Sequence, residues 1–209
     1  MSDGKEVRLY GPGQVVFHED TRPLGLFCVQ SGTVALRKED ASGNGIIVAL
    51  AGPGCLLGHA EYFCGTPAWT TACALCESRA CFINGDTMDR VTEQSRDVLI
   101  DVLRRVGGEL ECAEGELLRQ AVMPVRARVA ALLLSLRDHH GSVDSDGRLV
   151  ITLPVSRADL AALLRARRET VSRALHQLAS DGVVTVRGRA AIVPDLDVLM
   201  DEIKEFTGM

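Results

Sequence analysis

The sequence predicts an α+β protein with three parts: an N-terminal antiparallel β-roll, a long dimerisation helix and a C-terminal winged helix-turn-helix. Short apolar runs separated by turn residues fill the first third of the chain. Apolar residues then recur at a spacing of seven, and further on two short helical segments precede a basic hairpin. We expect the β-roll over residues 1–92, the dimerisation helix over 93–121 and the winged helix-turn-helix over 122–209.

The β-roll is predicted from strand-like runs at regular spacing. Turn sequences such as Gly52-Pro53-Gly54 separate these runs. Asn44-Gly45, between two of them, is typical of a hairpin turn. The runs cover residues 15–17, 24–29, 33–37, 46–50 and 70–83.

The long helix is predicted from two interleaved series of apolar residues that begin after Asp86. This pattern is the a/d seam of a coiled coil over nearly three heptads. Gly107-Gly108 weakens the helix by roughly 1 kcal/mol per glycine, so we expect packing against a partner helix to support it. The alternative is a helix that packs on its own domain. The predicted dimer contacts are Leu99, Leu103, Val106, Leu110 and Leu117.

The last part of the chain predicts a compact set of helices and strands. Met123-Pro124 separates the long helix from an apolar helix over 125–138, and a polar loop follows over 141–147. Ser156 and Asp159 fit a capping box, with Asp in the place of Glu, at the start of a helix over 156–164. A short turn leads to a second helix over 168–179 and then to a hairpin over 183–193.

The second of these helices has two different faces. On a helical wheel the apolar residues fill one arc, and Arg168, Glu169 and Arg173 lie on another together with Ser172 and His176. Arg donates two hydrogen bonds to guanine, and Glu accepts one from cytosine. The alternative, a solvated charged face, does not explain the capped helix and the basic hairpin beside it. We therefore expect double-stranded DNA as the partner.

The charge distribution agrees with DNA binding by the C-terminal part alone. The whole chain has a net charge of −5. Within residues 154–193, however, seven Arg face two Asp and one Glu, which gives +4. The field of the docking face matters more for DNA binding than the total charge does.

Two broad classes of function are not indicated. No signal peptide or membrane-length apolar run is present, so we expect a cytoplasmic protein without a membrane partner. No Gly-rich phosphate loop, His-Glu-x-x-His or Gly-x-Ser-x-Gly motif occurs, so we do not expect an enzyme.

The stretches 153–161 and 168–175 resemble the DNA-binding domain of the cyclic-AMP receptor protein / fumarate–nitrate regulator (Crp/Fnr) family of transcription regulators. The resemblance extends over the whole chain, and it implies a cyclic-nucleotide-binding-like jelly roll, a homodimer and contact with RNA polymerase. It also implies half-sites of TGTGA type, read by Arg168, Glu169 and Arg173, or of TTGA type, read with Ser172. The full set of expected DNA-binding residues is Arg157, Arg167, Arg168, Glu169, Ser172, Arg173, Arg187 and Arg189.

The sensor positions depart from the family pattern. Where the family holds a cyclic nucleotide with a Gly-Glu pair, this chain has Gly58-His59. The phosphate-binding Arg is also missing, because its position falls at Ala68-Trp69-Thr70. We therefore expect that cyclic AMP is not the effector, and that His59, Trp69 and Thr70 belong to a pocket for another one.

The cysteines and His59 leave the type of sensor open. An odd count of seven cysteines without a secretion signal indicates a reducing compartment. Cys81 falls where the fumarate–nitrate regulator has an iron–sulfur ligand, and His59 falls where a haem-containing member has its axial histidine. A metal set of Cys73, Cys76, Cys81 and His59, with haem or an iron–sulfur cluster, is one alternative. Thiol oxidation, structural thiols and a vestigial sensor domain are the others.

Overall fold

The computed structural model describes residues 4–39 and 45–207. It confirms the α+β architecture, with a β-domain followed by helices and a helix-turn-helix. The chain divides into two compact units, one up to Cys112 and one from Ala113 onwards. This division falls inside the long helix.

The first unit contains eight described strands in two antiparallel sheets. One sheet has the order β1-β8-β3-β6 and the other the order β2-β7-β4-β5. Phe27, Val29 and Val34 are among the residues that form the core between them. The strands are β1 (Lys5–Tyr10), β2 (Val15–Phe17), β3 (Gly25–Ser31), β4 (Val34–Glu39), β5 (Gly45–Ala51), β6 (Leu56–Leu57), β7 (Thr71–Ala74) and β8 (Ser78–Asn84).

The strand predictions hold for most runs, with one correction. β4 and β5 pair from Val34↔Ala51 to Glu39↔Gly45, as the hairpin prediction requires, whereas Asn44 lies outside the described residues. The single run predicted over 70–83 is wrong, because it consists of two strands, β7 and β8. The chain changes sheets between these strands, so one continuous strand could not supply both sheets.

Three helices in the described part of the chain belong wholly or partly to this unit: α1 (His59–Cys64), α2 (Gly85–Gln94) and α3 (Arg96–Val122). The Asn84 side chain caps α2 by accepting a hydrogen bond from the Thr87 N–H at 2.9 Å. α3 is continuous through Gly107-Gly108. Its residue Val102 is buried against Leu26 and Met88, so one face of α3 packs on its own domain.

The predicted seam lies on exposed positions of α3. Its five apolar side chains are between 37% and 63% exposed. They are Leu99, Leu103, Val106, Leu110 and Leu117. In this chain the apolar seam therefore remains in contact with solvent.

Within its described residues, the second unit contains five more helices and a four-stranded antiparallel sheet with the order β11-β12-β10-β9. The polar loop predicted over 141–147 is partly wrong, because its first three residues form β9 and extend the sheet. The elements are α4 (Val125–His140), β9 (Gly141–Val143), β10 (Leu149–Thr152), α5 (Arg157–Leu163), α6 (Arg168–Ser180), β11 (Thr185–Arg187), β12 (Ala190–Val193), α7 (Leu196–Asp201) and α8 (Lys204–Thr207). In the part of the chain described, no helix combines the length and apolarity needed to cross a membrane.

Candidate nucleic-acid interface

The first helix of the helix-turn-helix begins at a capping box, as predicted. Ser156 Oγ accepts a hydrogen bond from the Asp159 N–H at 3.1 Å, and Asp159 Oδ2 accepts one from the Ser156 N–H at 3.3 Å. These two bonds satisfy backbone donors that the first turn of α5 would otherwise leave without partners. The start of α5, including the exposed Arg157, is thereby fixed by local chemistry.

The turn between α5 and α6 is held by two partly buried arginine contacts. Arg165 has a φ of 46°, a left-handed backbone conformation that few residues other than glycine adopt without strain. Its Nη1 donates to Gln120 Oε1 at 2.8 Å. Arg128 Nη1 donates to the Leu164 carbonyl at 3.0 Å, at the end of α5. The sequence predicts a turn here but gives no signal for these contacts.

The two faces of α6 separate as the helical wheel predicts. The buried arc holds Val171, Ala174, Leu175 and Leu178, and Leu178 is fully buried. Because this arc packs on α4 and α5, it fixes the direction of the opposite face. That opposite face exposes Arg168, Glu169, Ser172, Arg173 and His176.

The C-terminal end of α6 is tied to two other segments through Arg126 of α4. Its Nε and Nη2 donate to the two carboxylate oxygens of Glu202 at 2.7 and 2.6 Å, and its Nη1 donates to Asp181 at 2.5 Å. The hydrogen bond from Arg126 lowers the pKa of the Asp181 carboxyl. Asp181 is the C-cap of α6, so this cluster holds the helix end opposite its exposed arginines.

The predicted wing is the hairpin of β11 and β12, which is continuous with β10. Gly188 at its tip has a φ of 60°, so the tight reversal uses the residue that tolerates this conformation. Arg187 and Arg189 on either side of it are exposed. The wing therefore carries two exposed cations at the tip of a hairpin that is part of a four-stranded sheet.

The twelve arginines of the second unit fall into two groups of six. Six form hydrogen bonds or ion pairs: Arg119, Arg126, Arg128, Arg137, Arg148 and Arg165. The other six are exposed and have no such partner among the described residues. They are the six that the sequence assigned to DNA: Arg157, Arg167, Arg168, Arg173, Arg187 and Arg189. An unpaired, solvated guanidinium is free to bind phosphate or a base edge without first breaking a protein contact.

The predicted sensor residues occupy one corner of the β-domain without forming a shared pocket. His59 is buried at the start of α1, and its Nε2 lies 3.0 Å from a Glu109 carboxylate oxygen, without hydrogen-bond alignment. The backbone N–H of the half-exposed Trp69 donates to Glu61 at 3.2 Å. Thr70 follows it and is partly buried.

A cleft of about 450 Å³ lies near these residues, but other side chains form its walls. Gly58 and Ala68 line it, whereas His59, Trp69 and Thr70 do not. Its charged groups are Arg8 and Arg22, and no sequence motif marks either residue as part of a site. The remaining lining residues are Val16, Phe17, Thr21, Pro23, Leu24, Gly25, Phe27, Phe82 and Asn84.

The structure does not bring the proposed metal ligands together. Across residues 4–39 and 45–207, no three His, Cys, Asp or Glu side chains are grouped so that they could hold a metal ion. Cys73 lies on β7 and Cys81 on β8, which belong to different sheets. All seven cysteines are free thiols, and Cys76 lies between these two strands.

Comparisons with known proteins agree with this arrangement. Residues 7–95 match the cyclic nucleotide-binding domain family, and residues 127–202 match the Crp-like helix-turn-helix domain family. The chain is 26% identical over 187 residues to the CRP-like cAMP-activated global transcriptional regulator of Mycobacterium tuberculosis, covering 90% of this chain and 83% of that protein. It is 29% identical over 197 residues to the cyclic AMP receptor protein of Thermus thermophilus, covering 94% and 87%.

Solved structures show the same fold. FixK2 from Bradyrhizobium japonicum superposes with a TM-score of 0.82 at 24% identity, covering 94% of this chain and 96% of that one. The regulator TTHA1359 from Thermus thermophilus superposes with a TM-score of 0.80 at 23% identity, covering 94% and 97%. The Mycobacterium tuberculosis relative is by name a transcriptional regulator. The chain therefore belongs to the Crp/Fnr family of transcription regulators, with a cyclic nucleotide-binding-type domain followed by a Crp-like helix-turn-helix domain.

Proposed function

We propose that the chain regulates transcription as a homodimer that binds an inverted-repeat DNA site and reads bases with α6. The observation that carries this proposal is the set of six exposed arginines without protein partners, on α5, α6 and the wing. Phosphate contacts fix the position of a protein on the duplex, and base contacts give sequence specificity. In this proposal the phosphate contacts come from Arg157, Arg167, Arg187 and Arg189. The base contacts come from the exposed face of α6.

Glu169 and Arg173 read one G·C pair in this proposal. Glu169 accepts from the cytosine amino group, and Arg173 donates two hydrogen bonds to guanine. With Arg168 reading a second guanine, the half-site is of TGTGA type. With Ser172 in its place, the half-site is of TTGA type. RNA polymerase is the expected protein partner at the promoter, on the strength of the family resemblance.

The dimer in this proposal is formed by the exposed seam of α3. Its five apolar residues lie along one helix, and burial of each large aliphatic side chain contributes about 1.5–3 kcal/mol. Leu110→Glu places a carboxylate in that contact and should convert the protein to a monomer. The nearby Glu111→Gln, at an exposed position off the seam, is the matched control. Sedimentation velocity at low micromolar concentration decides: a fully dimeric Leu110→Glu protein would mean that the seam is wrongly assigned.

The effector is not cyclic AMP in this proposal, although the two relatives described above carry cyclic AMP in their names. Where the family pocket has its carboxylate this chain has His59, and the stretch Ala68-Trp69-Thr70 at the phosphate position contains no arginine. A cyclic phosphate would lose its bidentate donor, which is among the strongest contacts available to such an anion. Calorimetry with cyclic AMP should show no saturable binding in the micromolar range.

Enrichment of random duplexes by the full-length chain tests the proposed function directly. A two-fold dimer places two α6 helices one turn of DNA apart, about 34 Å, so the enriched sites should be inverted repeats with that spacing. The half-sites should contain TGTGA or TTGA. Recovery of sequences no different from the starting pool would contradict sequence-specific binding, and enrichment of single unrepeated motifs would contradict the dimer.

A further inference from the structure

Two half-buried cysteines from strands far apart in sequence are neighbours in the first sheet of the β-domain. Cys28 lies on β3 and Cys81 on β8, and the antiparallel register sets them directly opposite each other. Both are free thiols. Among the strand pairs of the described residues, this is the only position where a cysteine faces a cysteine.

This register fits the geometry of a disulfide. Residues directly opposite in an antiparallel pair have Cα atoms about 4.5–5.5 Å apart. Disulfide-bonded cysteines usually have Cα atoms roughly 4.4–6.8 Å apart. The two side chains also leave the sheet on the same face, because opposite residues share a face. Closing the bond therefore needs side-chain rotation and a small approach of the strands.

The surroundings leave both thiols available for chemistry. Phe27, Val29 and Ala80 point into the core, so the alternation of each strand puts Cys28 and Cys81 on the other face of the sheet. Across the pair of β1 and β8, Val7 lies directly opposite Cys81, and Val7 is 45% exposed. The hydrogen bonds found for the two Sγ atoms are weak ones, to the next carbonyl along each strand at 4.0 and 3.8 Å.

We propose that Cys28 and Cys81 form a reversible redox pair in the β-domain, with a peroxide as oxidant. One thiolate attacks a peroxide oxygen, the O–O bond breaks, and a sulfenic acid and one water form. The second thiol then attacks the sulfenic sulfur, the S–S bond forms, and a second water leaves. Two thiols and one hydrogen peroxide thus give one disulfide and two waters, with two electrons passing from sulfur to oxygen.

The same geometry makes the bond easy to reduce. Opposite residues in a sheet have Cβ atoms roughly 4.5–5.5 Å apart, whereas a relaxed disulfide holds them near about 3.8 Å. A bond closed across this sheet is therefore strained, and strained disulfides are the labile ones that respond to cellular reductants. The pair is thus suited to switching rather than to permanent cross-linking, and it does not depend on the DNA-binding role proposed above.

The test uses the full-length chain with Cys64 and Cys112 replaced by Ser. These two thiols are exposed and would form bonds between molecules. Five of the seven thiols remain, and treatment with equimolar hydrogen peroxide should leave three. Alkylation followed by digestion without reductant should yield one linked peptide pair containing Cys28 and Cys81, and dithiothreitol should restore both thiols.

Single variants in that background separate this pair from general thiol oxidation. Cys28→Ser should abolish the loss of two thiols and leave Cys81 as a sulfenic acid that dimedone traps. Cys73→Ser is the matched control, since Cys73 faces Val15 and Ala35 across its sheet, and it should still lose two thiols. A linked peptide from any other pair, or five thiols surviving peroxide, would overturn the proposal. If a variant fails to fold, the linked peptides and the number of surviving thiols can still be measured on the protein that carries only the Cys64 and Cys112 replacements.

Discussion

Helix α6 and the β-domain differ in how their residues are brought together. On α6, the whole exposed face lies within nine consecutive residues of one helix, from Arg168 to His176. In the β-domain, Cys28 and Cys81 meet across a sheet although 52 residues separate them. The cleft likewise combines Arg8 on the first strand with Phe82 on the last strand of the same domain.

This difference explains which sites a sequence reveals. A helix repeats every 3.6 residues, so spacing alone assigns each side chain to a face. A sheet assigns neighbours by register, and register depends on turns and on which strands pair. The face of α6 is therefore a local property, whereas the contacts of the β-domain depend on the complete fold.

The largest expected effect is on the buried side of α6. Leu178 is fully buried, and replacing such a leucine by alanine removes apolar contacts and leaves a cavity. Leu178→Ala should lower the free energy of unfolding by about 2–5 kcal/mol. Chemical denaturation monitored by circular dichroism measures the change.

Gln177→Ala is the control for this prediction, because Gln177 is the exposed neighbour of Leu178 on the same helix. It should change the free energy of unfolding by less than about 0.5 kcal/mol. An equal loss in the free energy of unfolding for the two variants would mean that the apolar arc does not anchor α6. It would contradict the assignment of the two faces of α6 from residue spacing.

A smaller effect is expected in the turn before α6, where the sequence was least informative. Arg165→Gly and Arg165→Ala both remove the hydrogen bond to Gln120, but only glycine adopts a φ of 46° without strain. The glycine variant should therefore be more stable than the alanine variant by about 1 kcal/mol. Thermal unfolding of the pair measures this difference. Identical melting temperatures would mean that the left-handed turn contributes no strain.

The sequence predicts the architecture and the exposed face of α6 better than it predicts the contacts of the β-domain. The capping box at Ser156, both helices and the wing were recognisable because each depends on residues a few positions apart. The split of β7 and β8 and the first strand were missed because their pairing partners are distant in sequence. β9 pairs with the nearby β10, but its short Gly-Ser-Val sequence is typical of a loop. Arg165 was missed as well, since nothing in its neighbours marks a left-handed residue.

The smallest expected effect concerns Tyr62 on α1. Burial, with help from its hydrogen bond to Asp89 at 2.8 Å, raises the pKa of Tyr62 to about 12 from the ordinary value of 10.0. A raised phenol pKa means that its stabilising contribution is complete below pH 10 and is lost as the pH rises through about 12. In an ultraviolet titration, Tyr62→Phe should remove a transition near pH 12 and leave that of Tyr10. Loss of a transition near pH 10 instead would contradict the burial of this ring.

The central claim is that the exposed face of α6 reads bases, and paired binding titrations test it most directly. Each variant is titrated with a cognate and a scrambled duplex at two salt concentrations. Arg173→Ala should reduce the discrimination between the two duplexes by about 1–3 kcal/mol, because a bidentate contact to guanine is lost. Arg187→Ala, on the wing, is the control: it should weaken both duplexes alike and lower the salt dependence, as expected for a phosphate contact. Equal losses on both duplexes for Arg173→Ala would contradict the claim.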